Sequence, residues 1–155
     1  MRLVKFVLFG LILIGLAGCS SKSSKFQSYH GPEVTRVVVK KGARKLHLLH
    51  GKKVLKTYRM GLGFTPEGHK AFEGDGKTPE GHYVIDRRNP NSEFHLSVGV
   101  SYPNYQDRSR AAIAGKSPGG EIFIHAYYIK RAIIFYDLTA GCISVSNKQI
   151  EEIYA

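Results

Sequence analysis

From residue 34 onward, apolar and polar positions alternate with the short period of half-buried strands. VTRVVVK (34–40) is short and β-branched, and KLHLLH (45–50) and KVLKTYRM (53–60) flank a compact His50-Gly51-Lys52 turn, which predicts a hairpin. The pattern breaks in GLGFTPEGHKAFEGDGKTPEG (61–81), whose six glycines and two prolines predict a long loop of the functional or mobile kind. Strands resume in GHYVIDRR (81–88) and EFHLSVGVS (93–101), separated by the turn Asn89-Pro90-Asn91-Ser92. Asn104 is placed to cap a short helix through QDRSRAAIAGK, because its side chain accepts an orphan amide. After the turn at Ser117–Gly120, EIFIHA (121–126) is an apolar strand ending on a histidine and an alanine, while Tyr127 to Leu138 fits helix or strand equally. Ile143 and Val145 outline a brief strand, and Ser146 with Gln149 has capping-box spacing, so a helix begins near Asn147. The sum is a mostly β domain with small helices, without the βαβ alternation or glycine fingerprint of a dinucleotide-binding fold.

The amino terminus follows another logic. Arg2 and Lys5 precede an apolar run, Phe6 to Gly18, that is too short for a stable membrane span of about 20 residues and fits the central part of an export signal. It ends Leu16-Ala17-Gly18-Cys19, which resembles the lipobox of bacterial lipoproteins. That resemblance implies removal of residues 1–18 and lipidation of Cys19. Ser20 following the cysteine favours the outer membrane. Several acyl chains on one residue satisfy the two-signal requirement for stable anchoring. Residues 19–33 are polar and low in complexity and predict a flexible tether, leaving 34–155 as one domain.

Charge and cysteine count then narrow the chemistry. The chain has 23 Lys+Arg against 12 Asp+Glu, and loss of Arg2 and Lys5 takes the net charge from +11 to +9. No basic run exceeds three residues, so no nucleic-acid-binding arm stands out; for an exported protein, envelope polyanions or cell-wall carboxylates are the fitting partners. With Cys19 lipidated, Cys142 is the one free thiol, sitting in LTAGCISVSN, where the backbone bends rather than in an apolar run.

A thiol needs a nearby imidazole to become a strong nucleophile. Of the seven histidines, His125 is the candidate: a strand holds it, and the 16 residues from Ala126 to Gly141 suffice to return Cys142 to the same rim. The pair would form thiolate and imidazolium, with the amides of Gly141 and Cys142 aimed at a developing oxyanion. His47 and His50 stand on opposite faces of a strand, which argues against a metal. His30 falls in the tether, His69 in the loop, and His82 and His95 read as packing residues. Tyr127 and Tyr128 read as packing with a possible substrate contact.

His125, the gap, and Thr139-Ala140-Gly141-Cys142-Ile143 together resemble the L,D-transpeptidase (YkuD-like) catalytic domain, whose core is Ser/Thr-x-Gly-Cys after a histidine. GDGKTPEGHYVID (74–86), RNPNSEFHLSVGVSYPN (88–104) and GCISVSNKQIEEIY (141–154) strengthen the resemblance. It implies a β-sandwich with short helices and a substrate among peptidoglycan stem peptides. The implied chemistry is cysteine-dependent acyl transfer: Cys142 attacks the carbonyl joining the third residue, often diaminopimelate, to D-alanine. The thioester then passes to an amine for crosslinking or remodelling. Hydrolysis by an L,D-carboxypeptidase or endopeptidase, or binding of peptidoglycan without catalysis, are the alternatives. The implied roles are Cys142 as nucleophile, His125 as base, Gly141 and Cys142 as oxyanion donors, the Ala126 carbonyl as orienter of the imidazole, and Thr139 as the motif hydroxyl. No metal or cofactor is implied. Ala126, Ala140 and Ser144 depart from the family's usual Gly, His/Arg/Asp and Arg/Asn. The resemblance also implies a closing strand beyond Ala155.

Overall fold

Two small sheets face each other across the apolar core in the computed structural model, which describes residues 24–127 and 137–155. The first sheet is an antiparallel meander of β1 (Arg36–Lys40), β2 (Lys45–His50) and β3 (Lys53–Arg59), in that order. The second runs β4 (Ile85–Asn89), β5 (Ser97–Val100), β6 (Phe123–Ala126), β7 (Ile143–Val145), with the last pair parallel. Two helices complete it, α1 (Tyr105–Ile113) and α2 (Asn147–Tyr154). The fold is mostly β with short helices, as the hydrophobic pattern predicts, and its two sheets form the sandwich that the family resemblance implies.

The period-two pattern decides which side chains meet. Leu46 and Leu48 of β2 point into the sandwich, where they join Leu96 just before β5, Val98, Ile124, Ala126, Ile143 and Val145 of the second sheet, and Ile150 of α2. Burying each such leucine or isoleucine contributes about 1.5–3 kcal/mol. Both helices begin on capping boxes, Asn104 with Asp107 and Ser146 with Gln149. The first helix stops at Ile113, earlier than its composition suggests, because Gly115 takes a φ of 63° and the amides of Gly115 and Lys116 fold back onto the carbonyls of Ala112 and Ala111, both at 2.9 Å.

β4 and β5 also start later than their apolar stretches. Before β4, Val84 is drawn off by the Ser101 hydroxyl and Tyr83 by Asp107. Before β5, His95 takes a positive φ of 74° and Leu96 N–H bonds Phe94 O at 2.9 Å. Residues 24–33, read from composition as a tether, lie against the domain. Lys25 Nζ donates to Pro90 O at 2.6 Å, Gln27 Nε2 to Glu151 Oε2 at 2.9 Å, and Phe26 meets the Tyr154 ring. Cys19 and the apolar leader lie outside the described residues, as do residues 128–136 of the ambiguous Tyr127–Leu138 stretch.

The glycine-rich loop is a built wall. It starts with Met60–Phe64 running beside the cysteine segment: Gly61 exchanges two backbone bonds with Ser144, at 2.9 and 3.0 Å, and Phe64 N–H donates to Thr139 O at 2.9 Å. Charged side chains fasten the rest. Lys41 Nζ reaches Gly68 O, Thr78 O and Glu80 at 2.6, 2.8 and 2.9 Å. Asp107 of α1 accepts from Tyr83 at 2.9 Å, His69 at 3.1 Å and Arg110 at 2.7 Å. The Glu80 amide donates to His69 Nδ1, so the His69 proton sits on Nε2, facing Asp107.

Candidate active site

The register of the second sheet sorts its side chains into two faces. Val98, Ile124 and Ile143 form a row facing the core. The opposite, outer face carries a row of Asn89, Ser97, His125 and Ser144, and beside it a row of Arg87, Gly99 and Phe123 that Cys142 continues. His125 and Cys142 therefore share a face, on neighbouring parallel chains and two residues apart in register. That diagonal is about 8 Å between backbones, a span that two side chains can close.

His125 is held firmly. It is 7% exposed, its ring lies 4.5 Å from the Phe94 ring, and Nδ1 is 2.7 Å from the carbonyl of Ala126. A carbonyl only accepts, so Nδ1 carries the proton and Nε2 keeps its lone pair for use as a base. Burial pushes the imidazole pKa down, against the pull of the Ala126 carbonyl, so the ring is neutral at neutral pH. The Ala126 side chain is itself fully buried in the core, which gives the methyl group at this position a packing role.

Cys142 is half-buried, and its sulfur makes two bonds to the start of β6. It accepts from Phe123 N–H and donates to Glu121 O, both at 3.4 Å. Burial pushes the thiol pKa up, more than the Phe123 amide and the Lys70 charge pull it down, and Glu121 adds to the rise. Both shifts favour the uncharged forms, neutral thiol beside neutral imidazole, over the thiolate–imidazolium pair expected from the residues, and no hydrogen bond joins the two side chains. Rotation about the Cys142 Cα–Cβ bond would be needed to turn the sulfur from these partners toward His125.

The bend before the sulfur depends on two residues. Gly141 has φ of 137°, and a Cβ there would stand 2.7 Å from Lys77 O and 3.2 Å from Ile122 Cδ1, so loop and cysteine segment meet as only glycine allows. Thr139 closes the turn: its hydroxyl donates to Cys142 O at 2.7 Å and accepts from Gly141 N–H at 3.2 Å. The Gly141 amide, expected to face an oxyanion, is in this state spoken for by Thr139, because a hydroxyl two residues back closes a local ring. Ser144, the partner of His125 in the ladder, is buried and bonded through its backbone to Gly61.

Several supporting residues carry no signal in the chain. Asp137 receives Arg44 Nε on both oxygens, at 3.0 and 3.1 Å, and the Leu62 amide at 2.9 Å. This fork ties the β1–β2 turn to the segment leading into Thr139, across a separation invisible to spacing arguments. Beneath the loop, Lys70 and Asp75 form an ion pair at 2.9 Å with side chains 3% and 4% exposed. Asp75 had a legible cue, since an aspartate between glycines is turn chemistry. The other histidines serve elsewhere: His47 bonds Thr57, His50 the Glu33 carbonyl, and His95 Glu151. Among the described residues no three His, Cys, Asp or Glu side chains are grouped to hold a metal ion. Two clefts between the sheets, about 590 and 760 Å³, are lined by neither His125 nor Cys142.

Comparison with known proteins gives the family and relatives of the same fold. Residues 34–155 match the family model for YkuD, the L,D-transpeptidase catalytic domain. Among solved structures, a single-substitution variant of the helical cell shape determining protein Pgp2 from Campylobacter jejuni aligns with TM-score 0.62 and 29% identity over 81% of this chain and 44% of that one. The unsubstituted Pgp2 aligns with TM-score 0.58 and 30% identity over 74% of this chain and 40% of that one. Bd1075 from Bdellovibrio bacteriovorus, at 24% identity and TM-score 0.53 over 76% of this chain and 41% of that one, shares the fold. The chain spans less than half the length of each of these proteins. No curated protein matches it.

Proposed function

The chain belongs to the L,D-transpeptidase catalytic domain family, and on that premise we propose that it is an envelope enzyme transferring acyl groups on peptidoglycan stem peptides through a Cys142 thioester. The observation that carries this reading is the shared outer face of β6 and β7. There His125 Nε2 and the Cys142 sulfur stand one strand apart, with the imidazole fixed by the Ala126 carbonyl.

In the proposed reaction, His125 Nε2 takes the thiol proton as sulfur bonds the carbonyl carbon of the third stem residue. The carbonyl oxygen gathers negative charge against the Cys142 amide and the Gly141 amide, once the latter turns from Thr139. The imidazolium returns its proton to the departing D-alanine nitrogen as the C–N bond breaks, leaving a thioester. An amine from a second stem then attacks, His125 accepts its proton, and sulfur leaves and is reprotonated. Water in place of the amine gives the carboxypeptidase outcome, since only the identity of the second nucleophile differs. Lipidation at Cys19 would hold the domain at the outer membrane within reach of the wall. A role in cell shape follows from the likeness to the cell-shape protein Pgp2.

Binding without catalysis is the competing reading, and the sulfur's bonds to Phe123 and Glu121 are what favour it. Incubation with a purified disaccharide-tetrapeptide separates the two. Catalysis yields free D-alanine plus 3→3 dimer or tripeptide, with an acyl adduct on Cys142 seen by mass spectrometry and absent in Cys142→Ala. Intact substrate and an unmodified protein would leave binding as the function.

A further inference from the structure

Arg87 stands in the same row as Cys142, and the sheet is shaped to bring it there. Without interruption, the pairing of Ile85 with Val100 would set Arg87 against Val98, on the core side. A bulge between Ile85 and Arg87 shifts the register by one, so that Arg87 faces Gly99 and points outward. Gly99 then leaves the way clear. A Cβ at that position would stand 2.5 Å from Arg87 Cγ, 2.8 Å from Nε and 2.9 Å from Cζ, so the side chain crosses flat over the glycine. Its guanidinium comes to rest 4.6 Å from the centre of the Phe123 ring, the residue whose amide holds the Cys142 sulfur. There Nη2 lies 3.5 Å from a carboxylate oxygen of Glu121, the residue whose carbonyl accepts the thiol's hydrogen bond.

This cation is available. The Arg87 side chain is 39% exposed, and its ion-pair partners among the described residues are the adjacent Asp86 and the 83%-exposed Glu121. It is the one permanently charged side chain among the described residues of the two outer rows. A guanidinium stays charged and presents a fork that matches a carboxylate, and the ring beneath it fixes its plane.

We propose that Arg87 binds a carboxylate on one of the two residues joined at the scissile bond of the peptide substrate, and that the Glu121 carboxylate occupies its place in the free protein. The inference rests on the stem-peptide reading above. Such a peptide offers two carboxylates near the scissile bond: the C-terminal one on D-alanine and the side-chain one on diaminopimelate.

The test uses the full chain in detergent and three tetrapeptides: the parent, its C-terminal amide, and one with lysine in place of diaminopimelate. Arg87→Gln lowers kcat/KM on the parent about 10- to 100-fold, chiefly through KM, and Arg87→Lys recovers part of the loss. On one modified peptide Arg87→Gln costs nothing further, and that peptide identifies the carboxylate. Equal loss on all three peptides, or no loss on the parent, overturns the proposal. Peptide binding to Cys142→Ala chains with and without Arg87→Gln keeps the two readings apart. Arg87-dependent binding without turnover sinks the catalytic reading and leaves this one standing. Turnover without Arg87 dependence does the reverse, and absence of both turnover and binding removes both.

Discussion

Replacing Asp75 by asparagine should loosen the loop that walls the cysteine, and the structure sets the size of the effect. The Asp75 carboxylate accepts the amides of Ala71, Phe72 and Lys77 at 2.7, 3.2 and 3.0 Å and the Lys70 ammonium at 2.9 Å. Burial alone would raise its pKa, but these hydrogen bonds outweigh burial and lower it to about 2. An asparagine side chain in its place keeps one accepting oxygen of two, turns an amide nitrogen toward some of those donors and leaves the buried Lys70 charge without a countercharge. Breaking a buried pair from one side costs about 3–5 kcal/mol. Lys70→Met is milder, about 1–3 kcal/mol, because Asp75 retains its three amides. The double variant strands no charge and should recover about 2 kcal/mol of the Asp75→Asn loss. Urea unfolding followed by circular dichroism measures all three. The acid side gives an independent check. Since the folded pKa is depressed, its contribution is complete above the ordinary value of 3.8 and is lost as pH falls toward 2, about 2 kcal/mol in all. Asp75→Asn should flatten that part of the pH profile. A loss under about 1 kcal/mol for Asp75→Asn, or strictly additive losses in the double variant, would show that the pair does not hold the loop.

Three further outcomes are expected. Burial lowers the His125 pKa, and the base is competent when neutral, so the acid limb of kcat/KM should fall below the ordinary imidazole range; a limb above pH 6.5 would contradict the buried, carbonyl-anchored ring. Burial raises the Cys142 thiol, so alkylation of the free protein should rise only above the usual thiol range, and Lys70→Met should push that midpoint higher still by removing a favourable charge. Gly141→Ala must move the Lys77 carbonyl and adopt a left-handed φ, so it should cost about 1–3 kcal/mol in thermal unfolding and abolish acylation of Cys142, whereas wild-type acylation rates would refute the close approach.

The local devices were legible because each lies within a few residues of chain. The Ser146–Gln149 box, the Gly51 hairpin turn and the alternating β2 all depend on short-range hydrogen bonding or on a two-residue period, and the structure repeats them. The placement of Ala126 O against His125 was implied by resemblance, and backbone adjacency explains it: the acceptor is the next residue. Strand starts were less legible. Apolar letters continue through Tyr83–Val84 and Phe94–Leu96, but Asp107 and Ser101, from other segments, take the Tyr83 hydroxyl and the Val84 amide, and the backbone turns on itself at His95, with Leu96 N–H on Phe94 O.

What the sequence determined by itself was the set of reactive groups and the approach of two of them: a thiol after a glycine, an imidazole at a strand end, and enough chain between to bring them to one sheet. What only the tertiary structure decided was their state and their company. Whether a thiol is neutral depends on burial and on charges such as Lys70, which arrive from segments far along the chain. The face on which Arg87 stands turned on one inserted residue in a ladder, which is a property of strand pairing and not of composition. The Arg44–Asp137 fork joins positions 93 residues apart, and only the closed fold sets that distance.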